Sequence, residues 1–67
     1  MTKQEALIKA LAILGVHERL SPYSSEGRIV LEELGDKIDR LGPEEALRRI
    51  ETTKAHLIVQ IEYLAMM

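Results

Sequence analysis

The last third of the chain carries its most regular pattern of apolar positions. Six residues alternate in spacings of three and four, as on one face of a helix: Leu47, Ile50, Lys54, Leu57, Ile61 and Leu64. Pro43 suits the first helical position because it lacks the N–H that would have no acceptor there, and Gly42 suits the end of the preceding helix. The pattern therefore predicts one helix over residues 43–66.

The start of the chain predicts another amphipathic helix. Thr2 and Glu5 match a capping box, in which each side chain accepts a hydrogen bond from the backbone N–H of the other residue. Apolar residues at helical spacing then continue to Leu20. Gly15 leaves two alternatives, because it can end the helix in a left-handed conformation or remain inside it at a cost of about 1 kcal/mol. The unbroken spacing favours the second alternative and predicts a helix over residues 3–20.

The middle of the chain predicts a helix over residues 23–41, after a break at Pro22. Its apolar face contains Leu31, Leu34, Ile38 and Leu41. Three serines near the break are suitable N-caps: Ser21, Ser24 and Ser25. Gly35 lies off the apolar face, where it weakens the helix or marks a close backbone contact. Together the three segments predict a single all-α domain over residues 1–67.

The C-terminal helix has a second line of apolar residues, formed by Val59, Tyr63 and Met66. Either the other two helices cover both lines, or one line meets a second copy of the chain or another protein. A domain of this length buries only about 60% of the surface that its unfolded chain exposes, and without cysteine it cannot gain stability from disulfides. We therefore predict self-association, with a dimer favoured, or partner binding through this helix. The predicted interface residues are Leu57, Ile58, Val59, Ile61, Tyr63 and Met66.

Lys54 interrupts the main apolar face of the C-terminal helix. A polar residue at such a position can fix the register and number of helices in an assembly. Alternatively, its aliphatic stem packs on the face while the ammonium group reaches water. The sequence leaves both interpretations open.

The composition favours helices and gives no sign of a membrane protein. Leu, Ile and Ala dominate the apolar 46% of the chain, and Phe and Trp are absent. Aliphatic residues with good helix propensity prevail, and runs of β-branched or aromatic residues, which are typical of strands, are few. No apolar run approaches the roughly 20 residues of a membrane span, and the first residues do not resemble a secretory signal. We expect a cytoplasmic protein.

The charge of the chain disfavours nucleic-acid binding without excluding it. The net charge is −2, whereas affinity for nucleic acid comes mainly from cations that neutralise phosphates. A local basic cluster remains, formed by Arg40, Arg48, Arg49 and Lys54. Glutamates lie within helical reach of the two neighbouring arginines, so a self-paired surface is the simpler interpretation. Nucleic-acid association through this cluster on a dimer is the alternative function.

Candidate groups for catalysis or metal binding are few. Neither His17 nor His56 has a carboxylate three or four positions away, as a helical metal site would need. Glu32, Asp36 and Asp39 could form one acidic face, which we interpret as solvated and as a docking surface for a basic partner. We therefore predict no catalytic residue, metal or cofactor. The expected function is that of a small, non-catalytic interaction or regulatory protein.

Overall fold

Five short helices make up the part of the chain that the computed structural model describes, which is residues 1–21 and 23–66. The helices are α1 (Lys3–Leu14), α2 (Val16–Arg19), α3 (Ser25–Leu41), α4 (Pro43–Thr52) and α5 (Lys54–Ala65). The same residues contain no strand, so the prediction of an all-α fold is confirmed for them. Two of the three predicted helices are each divided in two. Pro22, at the predicted break, lies outside the described residues.

The capping box predicted at the start of α1 is present. The backbone N–H of Glu5 donates to the Thr2 hydroxyl over 3.1 Å, and the backbone N–H of Thr2 donates to the Glu5 carboxylate over 3.3 Å. The Thr2 hydroxyl also donates to that carboxylate over 3.1 Å. The pKa of Glu5 is lowered, first by the hydrogen bond from the Thr2 backbone and then by the one from its hydroxyl, because both favour the ionised carboxylate.

The helix predicted over residues 3–20 is wrong at Gly15. Gly15 adopts a left-handed conformation with φ 61°, which ends α1 and begins the single turn of α2. The reason lies in the core, where Leu14 and Val16 are 1% and 0% exposed. Residues two positions apart point about 200° apart on a continuous helix, so both could not face the core without a break between them. Arg19 stabilises the break by donating to the carbonyls of Leu14 and Gly15 over 3.3 and 3.2 Å.

Ser24 is the serine that begins α3. Its hydroxyl accepts a hydrogen bond from the backbone N–H of Gly27 over 3.0 Å and donates to the carbonyl of Ser21 over 2.7 Å. The first bond satisfies an N–H that would otherwise have no partner in the first helical turn. The helix therefore starts at Ser25, two residues later than predicted, and ends at Leu41 as predicted.

The helix predicted over residues 43–66 is divided at Thr53. It begins at Pro43 as predicted, but the Thr52 and Thr53 hydroxyls donate to backbone carbonyls four residues earlier, over 2.9 and 2.8 Å. Such back-bonding by threonine competes with the backbone ladder and bends helices. Lys54 consequently lies exposed at the first position of α5 and is not part of the buried core.

Two clusters of buried side chains hold the helices together. The larger one draws on every helix and is centred on Leu14, Val16 and Ile50, which are at most 1% exposed. The smaller one joins α1, α3 and α4 through the following residues: Ala6, Ile38 and Ala46. Because α5 packs on the larger cluster with only one side, its opposite side faces solvent.

Replacing Gly35 by alanine is expected to raise the free energy of unfolding by about 0.5–1 kcal/mol. Gly35 lies inside α3, and an added methyl group would meet only the Lys3 side chain, with Cε at 3.6 Å. This is an ordinary van der Waals distance, so the variant gains the helix propensity of alanine without a clash. Urea unfolding followed by circular dichroism measures the change. A loss of stability would show that the Lys3 side chain cannot adjust.

Candidate interaction surface

One side of α5, continued by its C-cap residue Met66, presents large apolar side chains to solvent. Val59, Tyr63 and Met66 are 64%, 68% and 82% exposed, and we call these three residues the α5 stripe. They were predicted as one line from their spacing alone. In this structure the other helices of the same chain do not cover both apolar lines, because the side chains of the α5 stripe are mostly exposed to solvent.

The six residues of the predicted interface divide between the core and the surface. Ile61 is 4% exposed and belongs to the larger core cluster. Leu57 and Ile58 are half-buried and pack against that cluster. The surface open to a partner is therefore narrower on α5 than the predicted set, and consists mainly of the α5 stripe.

A residue of α3 extends this surface. Ile29 is 46% exposed and lies across from α5, so that the two helices enclose an open groove of about 480 Å³. We call it the α3–α5 groove; it is lined by Ile29, Glu33, Val59, Gln60, Tyr63 and Leu64. Its apolar walls are the aliphatic side chains and the Tyr63 ring, and its polar groups are the Glu33 carboxylate, the Gln60 amide and the Tyr63 hydroxyl. Ile29 was not among the predicted interface residues, although an isoleucine off the apolar face of its helix is a sequence signal for an exposed apolar position.

A second, more polar cleft lies beside the groove. It has a volume of about 510 Å³, shares Glu33 and Gln60 with the groove, and reaches Arg40 and His56. Asp36 and Lys37 also line it, so that the cleft carries charges of both signs. Within residues 1–21 and 23–66, no three His, Asp or Glu side chains lie close enough together to hold a metal ion. Both histidines are exposed.

The predicted acidic face is exposed, and one of its members is paired. Glu32, Asp36 and Asp39 all lie on the solvent side of α3. Lys3 reaches Asp39 with its Nζ 2.8 Å from Oδ2, and both side chains are more than half exposed. An exposed ion pair of this kind adds little stability, but it reduces the negative charge that the face offers to a partner.

The four residues of the predicted basic cluster have different surroundings. Arg48 and Arg49 both approach Glu45, with N···O distances of 2.8 and 3.9 Å. Arg40 lines the polar cleft, and Lys54 begins α5. Two of the four cations are thus engaged with a carboxylate, which lowers the charge available to phosphate and weakens the case for nucleic-acid binding.

None of the helices found in the described residues combines the length and the apolar character that crossing a bilayer requires. This finding concerns helices α1 to α5 alone. The longest of them, α3, has 17 residues and carries charged side chains along its exposed side.

Comparisons of this chain with protein-family models, with curated proteins and with solved structures gave no match. The function therefore has to be inferred from the chemistry of its own surface. The α5 stripe and the α3–α5 groove are the features that ordinary folding does not account for, because they leave apolar side chains in water beside a small core.

Proposed function

We propose that this chain is a small, non-catalytic interaction protein of regulatory type that self-associates through α5. The observation that supports the proposal is the α5 stripe, which places three large apolar side chains in water on one line along α5 and its C-cap residue Met66. Contiguous apolar surface of this kind on a small domain is typical of protein–protein contact sites. The partner in the proposal is first of all a second copy of the chain.

The stripe supplies a driving force of the right order for a weak dimer. Burying one large apolar side chain contributes about 1.5–3 kcal/mol. A twofold symmetric dimer uses the same patch on both copies, so the three side chains count twice; because each is already partly buried in the single chain, together they give roughly 6–13 kcal/mol. The loss of translational and rotational freedom on association costs about 4–15 kcal/mol. The free energy gained by burying the stripe is comparable with this cost, so we expect a weak dimer that dissociates on dilution.

The acidic face of α3 is the second surface in the proposal. Its exposed carboxylates would attract a basic partner over a distance set by the ionic strength. The pairing of Lys3 with Asp39 leaves Glu32 and Asp36 as the members without an ion pair among the described residues. Self-association through α5 and partner binding through α3 would then use different surfaces of the same small domain.

The molar mass in solution tests self-association directly. Light scattering over a range of protein concentrations is expected to show a mass that rises from 7.6 kDa towards twice that value. The Val59→Glu variant is expected to lower the association constant by about 100-fold or more, because its carboxylate would be buried without a partner. Its circular dichroism should remain helical, since Val59 is 64% exposed in the single chain.

Ile8→Glu is the matched control for this variant. Ile8 lies on α1, is 60% exposed, and does not line the α3–α5 groove. The same change in charge at this position should leave the association constant as it is. A wild-type mass of 7.6 kDa at every concentration would rule out the proposed self-association.

A further inference from the structure

We propose that the α3–α5 groove binds Tyr63 of a second copy, so that each copy places its Tyr63 ring against Ile29 and Val59 of the other. This inference rests on the proposed self-association and adds its geometry. The interface would then include α3 as well as α5, and its central contact would be an aromatic side chain in a two-helix groove.

The chemistry of the groove matches a tyrosine side chain. Ile29, Val59 and Leu64 supply aliphatic walls, and Glu33 and Gln60 supply polar atoms in the same groove. A tyrosine ring packs against aliphatic walls of this kind, and its hydroxyl needs a hydrogen-bond partner once it is buried. The Glu33 carboxylate can accept that hydrogen bond, as can the Gln60 amide oxygen. An occupant with an apolar body and a single polar tip therefore satisfies both parts of the groove.

Tyr63 is a side chain of this kind, and it lies at the groove itself. Tyr63 lines the groove and is also 68% exposed, so its ring both forms a wall and projects from the surface. A twofold axis brings one patch against an identical patch, which lets each copy give its tyrosine and receive the other. Tyr23, at 92% exposure, lies in the segment before α3 and does not line the groove.

The area of the combined patch also fits a second copy. The α5 stripe and Ile29 together expose on the order of 500 Å² of side chain, estimated from their exposed fractions and the size of such side chains. Two copies would bury about 1,000 Å² in total, which is the lower limit for a specific interface. Without Ile29 the patch falls below that limit, which is why the contact with α3 matters for this proposal.

Light scattering on two groove variants tests the geometry. Ile29→Glu is expected to lower the association constant about 100-fold or more, as Val59→Glu does, while Ile8→Glu leaves it unchanged. Tyr63→Phe keeps the ring and removes the hydroxyl, and is expected to lower the association constant about 100-fold because the symmetric dimer loses two hydrogen bonds, one from each copy. Tyr23→Phe is its matched control and should have no effect.

The Tyr23→Phe variant also gives an independent readout, because Tyr63 is then the single tyrosine in a chain without tryptophan. Its fluorescence should be quenched by acrylamide in dilute solution and protected at concentrations where the dimer forms. The groove contact requires this protection, and the comparison of Tyr63→Phe with Tyr23→Phe still tests the contact if Ile29→Glu fails to fold.

Three results would overturn the inference in distinguishable ways. If Val59→Glu abolishes the dimer while Ile29→Glu and Tyr63→Phe associate like the wild type, the chain self-associates through α5 but the groove does not bind Tyr63 of the second copy. Equal quenching of Tyr63 in the dilute and the dimeric protein would show that the dimer leaves Tyr63 exposed, and so uses neither the groove contact nor this part of the α5 stripe. A wild-type chain that is monomeric at every concentration would remove the proposed self-association and the groove contact together.

Discussion

Replacing Ile50 with alanine is expected to lower the free energy of unfolding by about 2–5 kcal/mol. Ile50 is 0% exposed and reaches from α4 into the larger core cluster, where side chains from every helix meet. Truncation removes buried apolar atoms and leaves a cavity that the surrounding helices fill only in part. A domain of this size has a total stability of roughly 3–10 kcal/mol, so the substitution removes a large part of it.

Ile8→Ala is the control for this prediction because it makes the same chemical change on the surface. Ile8 is 60% exposed, and its truncation should change the stability by about 0.5 kcal/mol or less. Urea unfolding of both variants, followed by circular dichroism, gives the comparison. Equal losses of stability at the two positions would show that Ile50 is not at the centre of the core.

The side of α4 and α5 that forms the core could be predicted from spacing alone. Ile50 and Ile61 are buried and Leu57 packs on the same cluster, as the alternation of three and four residues indicated. The pattern holds on both sides of the break at Thr53, because the Thr53 N–H still donates to the Arg49 carbonyl and the Leu57 N–H to the Thr53 carbonyl. Lys54 is the exception, since it lies exposed at the first position of α5. Local signals such as Thr2 and Pro43 also had the predicted roles, since a cap depends only on neighbouring residues.

The two breaks could not be predicted, because each depends on energies that local spacing does not contain. Gly15 can remain in a helix or end it at similar cost, and the outcome depends on the burial of Val16 against residues distant in sequence. At Thr53 the decision depends on whether the threonine hydroxyls bond backward to the carbonyls of Arg48 and Arg49. At both positions the continuous and the broken helix differ in free energy by only about 1 kcal/mol, and a pattern of apolar residues does not resolve so small a difference.

The exposed apolar residues along a single helix could be predicted from the sequence, but their neighbours on another helix could not. The spacing of Val59, Tyr63 and Met66 defined the α5 stripe along one helix. The groove also needs Ile29, which comes close to the stripe only through the packing of α3 against α5. In the same way, sequence spacing placed Asp39 on an acidic face, but only the fold brings Lys3 to it across a sequence separation of 36 residues.

Replacing Gly15 by alanine is expected to lower the free energy of unfolding by about 1–2 kcal/mol. At φ 61° a Cβ atom comes too close to the backbone, and this left-handed conformation costs an L-residue about that much. An added methyl group would also meet Nη1 of Arg19 at 2.5 Å. The arginine is flexible and can move, but it would then give up its hydrogen bonds to the carbonyls of Leu14 and Gly15. Chemical unfolding of the variant measures the sum of both effects.

Gly35→Ala is the matched control, because it makes the same substitution at a helical glycine and should stabilise the domain. Opposite signs at the two positions would show that backbone conformation, and not the loss of a glycine as such, determines the effect. A rise in both stability and helix content for Gly15→Ala would contradict the expectation. It would mean that the variant forms one continuous helix through residue 15, and that removing Val16 from the core costs less than the left-handed turn.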